Sequence, residues 1–400
     1  MTARIAIVGA GPAGLTAAIA ARRLGLEVVV YEQAPEVGRV GGGIAIQNNG
    51  QRVLDVLGLL RGFEPCMEAA GTILVEGPGR RQYARLDYGA LPVPFPRFAV
   101  VLRADLQLHL VDAARREGVR LELGRRCTDI ARHGATIGVR FAGGDETECT
   151  LVLAADGAGS AVRASAGLAS APRPTGQAAL RGVVDRPAAP GVAREIWTDD
   201  GRLFGIAPLP AGRTYFYCSA PLGGWHDVLA DVRPWLDGWR EALPEAATLL
   251  DAVPDWHQVT YDELREVRAP RWTDRGCILL GDAAHAMTPN LGQGANSAMV
   301  DALVLVRLLR ETLDAGGTAE DAGRRYETLR RPFVRRIQSS ARMMMRLASV
   351  RAPAARLARR GLMALAAGAQ RFSRSGLLLG AGVNPAEEEW LRPLGARPRD

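Results

Sequence analysis

Apolar and polar positions along this chain follow two periods, and the places where one gives way to the other outline its elements. The run Ile5-Ala6-Ile7-Val8 reads as a buried parallel strand, and past Gly9-Ala10-Gly11-Pro12-Ala13-Gly14 the spacing becomes helical to about Leu24. A second apolar strand, Val28-Val29-Val30-Tyr31, stops at Glu32. Helical spacing returns over 51–60 and ends around Gly62, and short alternating strands broken by Gly and Pro over 71–101 predict a β-rich excursion. Arg103 opens a helix with Leu106, Leu110, Ala113 and Ala114 on its buried stripe. Strands are expected over 119–123 and 147–154, the second running into Asp156-Gly157. From 178 to 267 alternating β dominates (Ala179, Arg181, Val183; Arg213, Tyr215, Tyr217), broken by a helix near 228–239. The run Cys277-Ile278-Leu279-Leu280 then ends in Gly281-Asp282, a Gly-rich loop follows, and helices are predicted over 295–313 and 319–347. Pro332 is expected to kink or break the last of these.

Three of these junctions carry chemistry. Strand, glycine loop, helix, second strand and terminal acid together form the dinucleotide fingerprint in its required context. Gly9 permits the tight turn, Gly11 lets a pyrophosphate approach the backbone, and Gly14 lets helix and strand pack closely. Glu32, 23 positions after Gly9, can accept from ribose hydroxyls. It would repel a 2′-phosphate, so this site suits FAD or NAD and disfavours NADP. The stretch 36–45 is too glycine-rich for a regular element, and reads either as a mobile loop over the cofactor or as a surface excursion. Arg103 opposes the dipole of the helix it opens, which makes it either an anion contact or a solvated arginine.

Asp156, just past a buried strand and beside glycines, has a cofactor-edge arrangement, although by itself such an acid is most simply a loop. Gly281-Asp282 repeats that arrangement. The loop after it, with Pro289 and Gly292-Gln293-Gly294-Ala295-Asn296, delivers unpaired backbone N–H groups at a helix start carrying about half a positive charge. A group that turns anionic during its chemistry, such as a reduced flavin ring, would be stabilised there. His285 reads as a packed residue of this turn and not as a base.

Composition narrows the field. Four hundred residues suggest two domains, or one with an insertion, and 48% hydrophobic content fits a globular protein. No run of 18 apolar residues occurs and the first apolar stretch lacks the features of a secretory leader, so a cytoplasmic protein is expected. The five cysteines are scattered, suggesting neither a disulfide scaffold nor a metal site. There is no lysine, which removes Schiff-base chemistry. The net charge of +7 is concentrated between Glu327 and Glu387, where twelve arginines stand without one acid. On a helical wheel Leu357, Leu362 and Leu365 fall on one side and Arg356, Arg359 and Arg360 on the other. This basic amphipathic piece could dock on its own domain, touch an anionic membrane through 350–375, or bind an acidic partner. Nucleic acid is disfavoured, since only Phe333 and Phe372 offer stacking there.

Gly9-x-Gly11-x-x-Gly14 with Glu32, then Asp156-Gly157, then Gly281-Asp282 with Pro289 and Gly292-Gln293-Gly294 stand in order along the chain. In this combination, across about residues 4 to 345, the sequence resembles the group A flavoprotein aromatic hydroxylases, the p-hydroxybenzoate hydroxylase fold family. The resemblance implies an α/β protein with a Rossmann-type FAD-binding domain (1–70, 100–177, 269–347), an inserted β-sheet-rich substrate domain (71–99, 178–268) and a basic helical C-terminal segment (348–400). It implies FAD, with NADH or NADPH and O2 as co-substrates, and hydroxylation of an aromatic or other electron-rich small molecule through a flavin C4a-hydroperoxide.

Residue by residue, Gly9, Gly11, Ala13 and Gly14 would hold the pyrophosphate, with Glu32 and Gln33 at the adenosine ribose and the backbone near Cys127 against the adenine. Arg39 would belong to the cofactor site and Arg103 would reach the ribityl and pyrophosphate region. Asp156 would sit between FAD and the nicotinamide donor, and Gly281-Asp282 at a ribityl hydroxyl. Pro289 and 292–296 would line the flavin ring, with Pro289, Gly292 and Gly294 at the oxygen adduct. Arg181, Tyr215 or Tyr217 would contact substrate, with His226 nearby; no residue is assigned as the base. A monomer or homodimer is expected. A flavin dehydrogenase or reductase without oxygen insertion is the alternative on the same fold, and a plain NAD-binding Rossmann protein is the third.

Overall fold

The computed structural model describes residues 4–38, 42–168, 170–221, 231–254, 256, 259–368 and 376–393. Its first layer is a six-stranded sheet built on β1 (Ile5–Val8), which lies between β2 (Val28–Tyr31) and a strand from Leu151–Ala154. All four residues of β1 are buried, which is why it reads as a continuous apolar run and not as an alternation. Helix α1 (Pro12–Arg23) starts with proline at its first turn, where the missing N–H costs nothing, and buries 13–21 as a small-residue face.

Two further sheets are added to this layer, the smaller antiparallel and the larger antiparallel except for one parallel pair. The larger begins with β3 (Gly43–Ile46), β4 (Glu68–Gly77), β5 (Arg81–Asp87) and β6 (Phe98–Leu102). A strand was not expected at β3, because its glycines lower intrinsic β preference. Tertiary contact overrides that preference: a Cβ on Gly43 would lie 2.4 Å from the Tyr215 ring, so only glycine lets the two approach. β7 (Arg120–Glu122) returns to the first layer. β8 (Cys127–His133), β9 (Thr136–Phe141) and β10 (Glu146–Cys149) form a small sheet of their own. The segment 147–154 is therefore not one strand. It turns at Thr150, whose N–H donates to Arg4 O at 3.0 Å, and β11 (Leu151–Ala154) enters the parallel sheet.

β12 (Arg173–Val184), β13 (Gly191–Trp197), β14 (Leu203–Leu209), β15 (Arg213–Pro221) and β16 (Thr260–Glu266) complete the large sheet in the order β16-β12-β15-β14-β13-β4-β6-β3, with β5 on β4. One face packs Leu180, Phe204, Phe216 and Cys218 against helices at Arg233–Ala242 and Pro244–Leu250. The opposite face presents Arg181, Tyr215 and Tyr217, and Tyr215 clusters there with Ala45, Leu377 and Ala381. The helix expected near 228–239 falls partly outside the described residues, as do Arg39 and His226. β17 (Thr273–Asp274) and β18 (Cys277–Leu279) close the first sheet beside β11.

Four helices matter below: α2 (Asn48–Val56), α3 (Arg103–Arg116), α4 (Gly294–Asp314) and α5 (Ala319–Ala348). α2 starts earlier and ends sooner than the spacing suggested, because Gly58 turns the chain with φ +57° and a separate turn forms at Leu60–Phe63. α5 runs without a break through Pro332. Proline there costs about 3 kcal/mol, but residues on both sides are anchored in the interior. Arg330 bonds Asp301, and the Gln338 amide donates to Val267 O at 2.8 Å and His285 O at 3.0 Å.

The last helix, α6 (Pro353–Gly368), docks on its own chain by the side expected to face water. Arg359 is 2% exposed, while Leu357 and Leu362 are 72% and 52% exposed. Tyr83 and Trp197 offer their rings to the Arg359 guanidinium at 5.8 and 6.0 Å, and Asp199 pairs with Arg359 at 3.4 Å and Arg360 at 2.8 Å. A wheel projection assigns arginine to solvent; here two rings and a carboxylate take it instead. We predict that Asp199→Asn loosens α6 by about 1–3 kcal/mol, because a buried guanidinium loses its ionic partner. Hydrogen exchange should show faster amides in 353–363 and unchanged ones in α4; unchanged exchange in 353–363 would contradict this.

Candidate active site

The three sequence junctions meet at one end of the parallel sheet. Gly9 has φ +102°, and a Cβ there would lie 2.3 Å from Ala155 O, so the first loop presses on the turn holding Asp156. A Cβ on Gly14 would lie 2.0 Å from Gly9 O, whereas nothing stands within 4 Å of one on Gly11. The loop is closed on the protein side and open on the other, the shape that a pyrophosphate needs. Glu32 accepts from Ala10 N–H at 2.7 Å and Ala34 N–H at 2.9 Å, and so fixes the loop before any ribose arrives. Gln33 is exposed beside it, and Ala13 is buried in the first turn of α1. Arg103 is exposed at the start of α3, with no side-chain partner among the described residues. Its own N–H donates to Gly42 O at 3.0 Å.

Cys127 opens β8 close to Asp156. Burial pushes its thiol up to about 12, and the Asp156 carboxylate adds to the shift. Asp156 itself is raised by burial, against hydrogen bonds from Ser160 and Val162 that favour the ion. Its Oδ2 accepts from Val162 N–H at 3.2 Å, while Oδ1 is buried with no hydrogen-bond partner among the described residues. Arg163, missed in the sequence, is buried and donates to Ala158 O and Ala283 O, each at 2.7 Å. It thereby ties the Asp156 turn to the Asp282 turn.

Gly281 has φ +54°, and a Cβ there would lie 2.8 Å from Ala298 Cβ and 3.4 Å from Ala13 Cβ, so the third junction touches both α4 and the first loop. Asp282 is exposed and unpartnered among the described residues. Pro289 begins a short turn that ends at Gly292, whose φ of +60° aims the chain into α4. At Gly294 and Ala295 the first N–H groups of α4 have no acceptor within the helix. Gln293 and Asn296 are fully buried by contrast, and their side chains are spent on the protein. Asn296 Oδ1 accepts from Gln47 N–H at 3.0 Å, and its Nδ2 donates to Ala45 O at 2.9 Å and Gly292 O at 2.6 Å. Gln293 exchanges bonds with Asn49 and donates to Gly380 O at 2.7 Å. A ligand can meet these two only through their backbone.

Beneath the loop lies a chain of buried charges. His285 Nε2 meets Asp301 Oδ2 at 2.5 Å, Arg330 Nε donates to Asp301 Oδ1 at 2.8 Å, and Arg330 also pairs with Glu387. Asp301 Oδ2 further accepts from Gly281 N–H at 3.2 Å, and Arg330 donates to Ser297 O at 3.2 Å. Burial opposes ionisation of Asp301, but His285 and Arg330 outweigh it and hold its pKa below the ordinary value. His285 is thus packed, as expected; the acid and arginine behind it were not foreseen. Their signal was a lone Asp301 within the apolar stripe of α4, one turn from Ser297.

Arg181, Tyr215 and Tyr217 stand together on the face of the large sheet opposite the Arg233–Ala242 helix. Arg181 closes onto Asp262, and the Tyr215 and Tyr217 rings lie 5.6 Å apart. Tyr215 also packs across Gly43, next to the Ala45 carbonyl that binds Asn296. β3 therefore joins the tyrosine face to the loop at α4.

Arg330→Met should destabilise the protein by roughly 3–5 kcal/mol, since two buried carboxylates lose their cation. Asp301's lowered pKa means that its stabilising contribution is complete above the ordinary carboxylate range and is lost as pH falls through the lowered value. Denaturant titration of the wild type and variant checks both statements; equal midpoints at neutral pH would refute the first.

The sequence matches the family described as an FAD binding domain over residues 2–341. It is 33% identical over 363 residues to 3-amino-4-hydroxybenzoate 2-monooxygenase of Streptomyces cremeus, covering 85% of this chain and 86% of that one. Salicylate hydroxylase of Pseudomonas putida is 31% identical over 375 residues, 84% of each chain. The fold matches Klebsiella pneumoniae HpxO complexed with FAD and uric acid with a TM-score of 0.82 at 25% identity, over 96% of this chain and 97% of the other. The open glycine loop, the unsatisfied Asp156 oxygen and the free N–H groups of α4 fit the flavin dinucleotide that this family holds. The chain belongs to the group A flavoprotein hydroxylases and is an FAD-dependent monooxygenase.

Proposed function

We propose that the protein hydroxylates a small aromatic molecule bearing an electron-donating hydroxyl or amino group, seated between the Tyr215 and Tyr217 face and the loop 289–296. The observation that carries this reading is the seam at β3, where the Gly43 backbone lies against Tyr215 and the Ala45 carbonyl holds Asn296. A planar molecule against the flavin ring would meet that face at once. The relatives named for aminohydroxybenzoate and salicylate favour the same substrate class.

In this reading Gly9, Gly11 and Gly14 admit the pyrophosphate, Glu32 and Gln33 meet the adenosine ribose, and Arg103 balances the phosphate charge. The Cys127 backbone borders the adenine, and Asp156 and Asp282 accept from ribityl or nicotinamide-side hydroxyls. FAD held there would supply hydride acceptance from NADH or NADPH and the activation of O2 for transfer to the ring. The chain's part is to orient the ring, exclude water and offer the N–H groups at Gly294 and Ala295 to negative charge on the flavin. Segments 1–70, 100–177 and 269–347 would hold FAD, and 71–99 with 178–268 the substrate.

Exposed Leu357 and Leu362, on the side of α6 opposite its docked arginines, together with the net charge of +7, support peripheral contact with an anionic membrane by a cytoplasmic monomer or homodimer. Among the described residues no helix is long and apolar enough to cross a membrane. Co-sedimentation with phosphatidylglycerol vesicles should fall on Leu357→Glu; no binding by the wild type removes this part of the proposal.

A panel of hydroxylated and aminated benzoates and quinolones, scored by acceleration of flavin reduction with NADH and with NADPH, tests the main reading. At least one member should speed reduction and incorporate label from isotopic O2. Reduced nicotinamide consumed with peroxide as the sole product for every member would favour a flavin reductase instead.

A further inference from the structure

Four of the seven acids on the large sheet pair with an arginine, and of the rest Asp87 is exposed and Glu68 half-buried. Glu76 pairs with Arg194, Asp262 with Arg181, Glu266 with Arg342, and Glu263 with Arg265. Glu195 differs. Its Oε1 accepts from Trp197 Nε1–H at 2.6 Å and its Oε2 from the Tyr217 hydroxyl at 3.1 Å, and no ion pair reaches it among the described residues. Burial raises its pKa, against those two hydrogen bonds, which favour the ion.

The register explains how the pair forms. Arg181 lies opposite Tyr217, Tyr217 opposite Gly205, and Gly205 opposite Glu195, a single row across four strands. A Cβ on Gly205 would lie 2.0 Å from Tyr217 Cζ, so the phenol lies flat across the glycine and its hydroxyl reaches Glu195 on the next strand. A glutamine could accept from Trp197 with its one oxygen but would present an amide donor to Tyr217, so only a carboxylate accepts from both, each oxygen taking one donor. The carboxylate also has the capacity to take a proton.

We propose that Glu195 is the proton acceptor behind Tyr217, and that the pair removes the proton of a phenolic substrate. The inference rests on the substrate class proposed above. With Glu195 ionised, Tyr217 donates inward and turns a lone pair toward the substrate hydroxyl. The substrate O–H bond breaks as a new O–H bond forms on Tyr217. Tyr217's original proton passes to Glu195 Oε2, leaving a phenolate and a neutral carboxyl. No electron changes hands. Tyr217 then donates outward to the phenolate, and its ring, richer in electrons than the phenol's, is the better acceptor of oxygen. Tyr217 touches the substrate; Glu195 acts through it as a positioning residue.

The groups facing this pair are Tyr215 on β15, Arg181 closed onto Asp262, Tyr83 on β5, and Arg359 of α6 held by Asp199. Each cation among them is already paired with an acid, Arg359 sharing Asp199 with Arg356 and Arg360. Since Glu195 is the base only when ionised, turnover should fall as pH drops through its raised pKa.

Two measurements on the FAD-loaded protein test the inference. The first needs no substrate: infrared spectra taken down a pH series should show a buried neutral carboxyl that is missing in Glu195→Gln and titrates at a different pH in Tyr217→Phe. Its absence from the wild type, or a titration unmoved by Tyr217→Phe, overturns the proposal. The second uses the phenol that most accelerates flavin reduction in the panel. In Glu195→Gln kcat should fall roughly 100-fold at neutral pH with little change in KM, and recover as pH rises past the phenol's own pKa. An equal loss at every pH would mean a merely structural role, and a wild-type pH profile would mean none; either result overturns it. If no phenol accelerates reduction, the substrate reading fails, while the infrared series still decides whether the two residues share a proton.

Discussion

The structure depends on one buried carboxylate. Asp301 stands in the middle of an apolar helix where an unpaired charge would cost several kcal/mol, and everything that neutralises it comes from a different part of the chain. His285 reaches it from the end of the Gly281-Asp282 turn, Arg330 from α5, and Gly281 by its backbone. Arg330 passes the link on to Glu387 near the C-terminus and to Ser297 in the first turn of α4. A charge that can be buried only when all its partners are present makes the turn before the 289–296 loop, the helix after it and the C-terminal segment one cooperative unit.

The same logic, with neutral groups, joins that unit to the large sheet. Asn296 and Gln293 spend their amides on Ala45, Gln47, Asn49 and Gly380, so the loop's outer edge is fixed by segments distant in sequence. Gly50 shows how tight the fit is: a Cβ there would lie 2.0 Å from Asn296 Oδ1. Polar networks of this kind, fully satisfied, define one geometry where an apolar contact would tolerate several. The proposed role of this loop, offering backbone N–H groups to a ring, needs that definition, because N–H groups stabilise charge only in the right place.

Much of this was readable from sequence because it is local. The glycine loop with Glu32 follows from spacing and turn chemistry, and so do Asp156-Gly157 and Gly281-Asp282, each a short stretch whose conformation its own residues impose. The parts that escaped are those decided by distant contacts. β3 is a strand because Tyr215 and β6 make it one, against the preference of its glycines. Pro332 leaves α5 whole because Arg330 and Gln338 are anchored on either side of it. Arg359 is buried because Tyr83, Trp197 and Asp199 lie under it, facts that a helical wheel cannot contain. Glu195 gave no signal at all; its meaning lies in strand register, which places it across Gly205 from Tyr217.

Glu32 has a consequence for how the protein is loaded. Its two oxygens already hold the N–H groups of Ala10 and Ala34, so the turn that would receive a pyrophosphate is held by the protein itself. A dinucleotide arriving there need not order the backbone, and the entropy of ordering, often a large share of what weakens a flexible site, is met during folding. Capture of the adenosine end should thus be close to rigid docking, leaving adjustment to the more open end where Asp282, Pro289 and Gly292 lie.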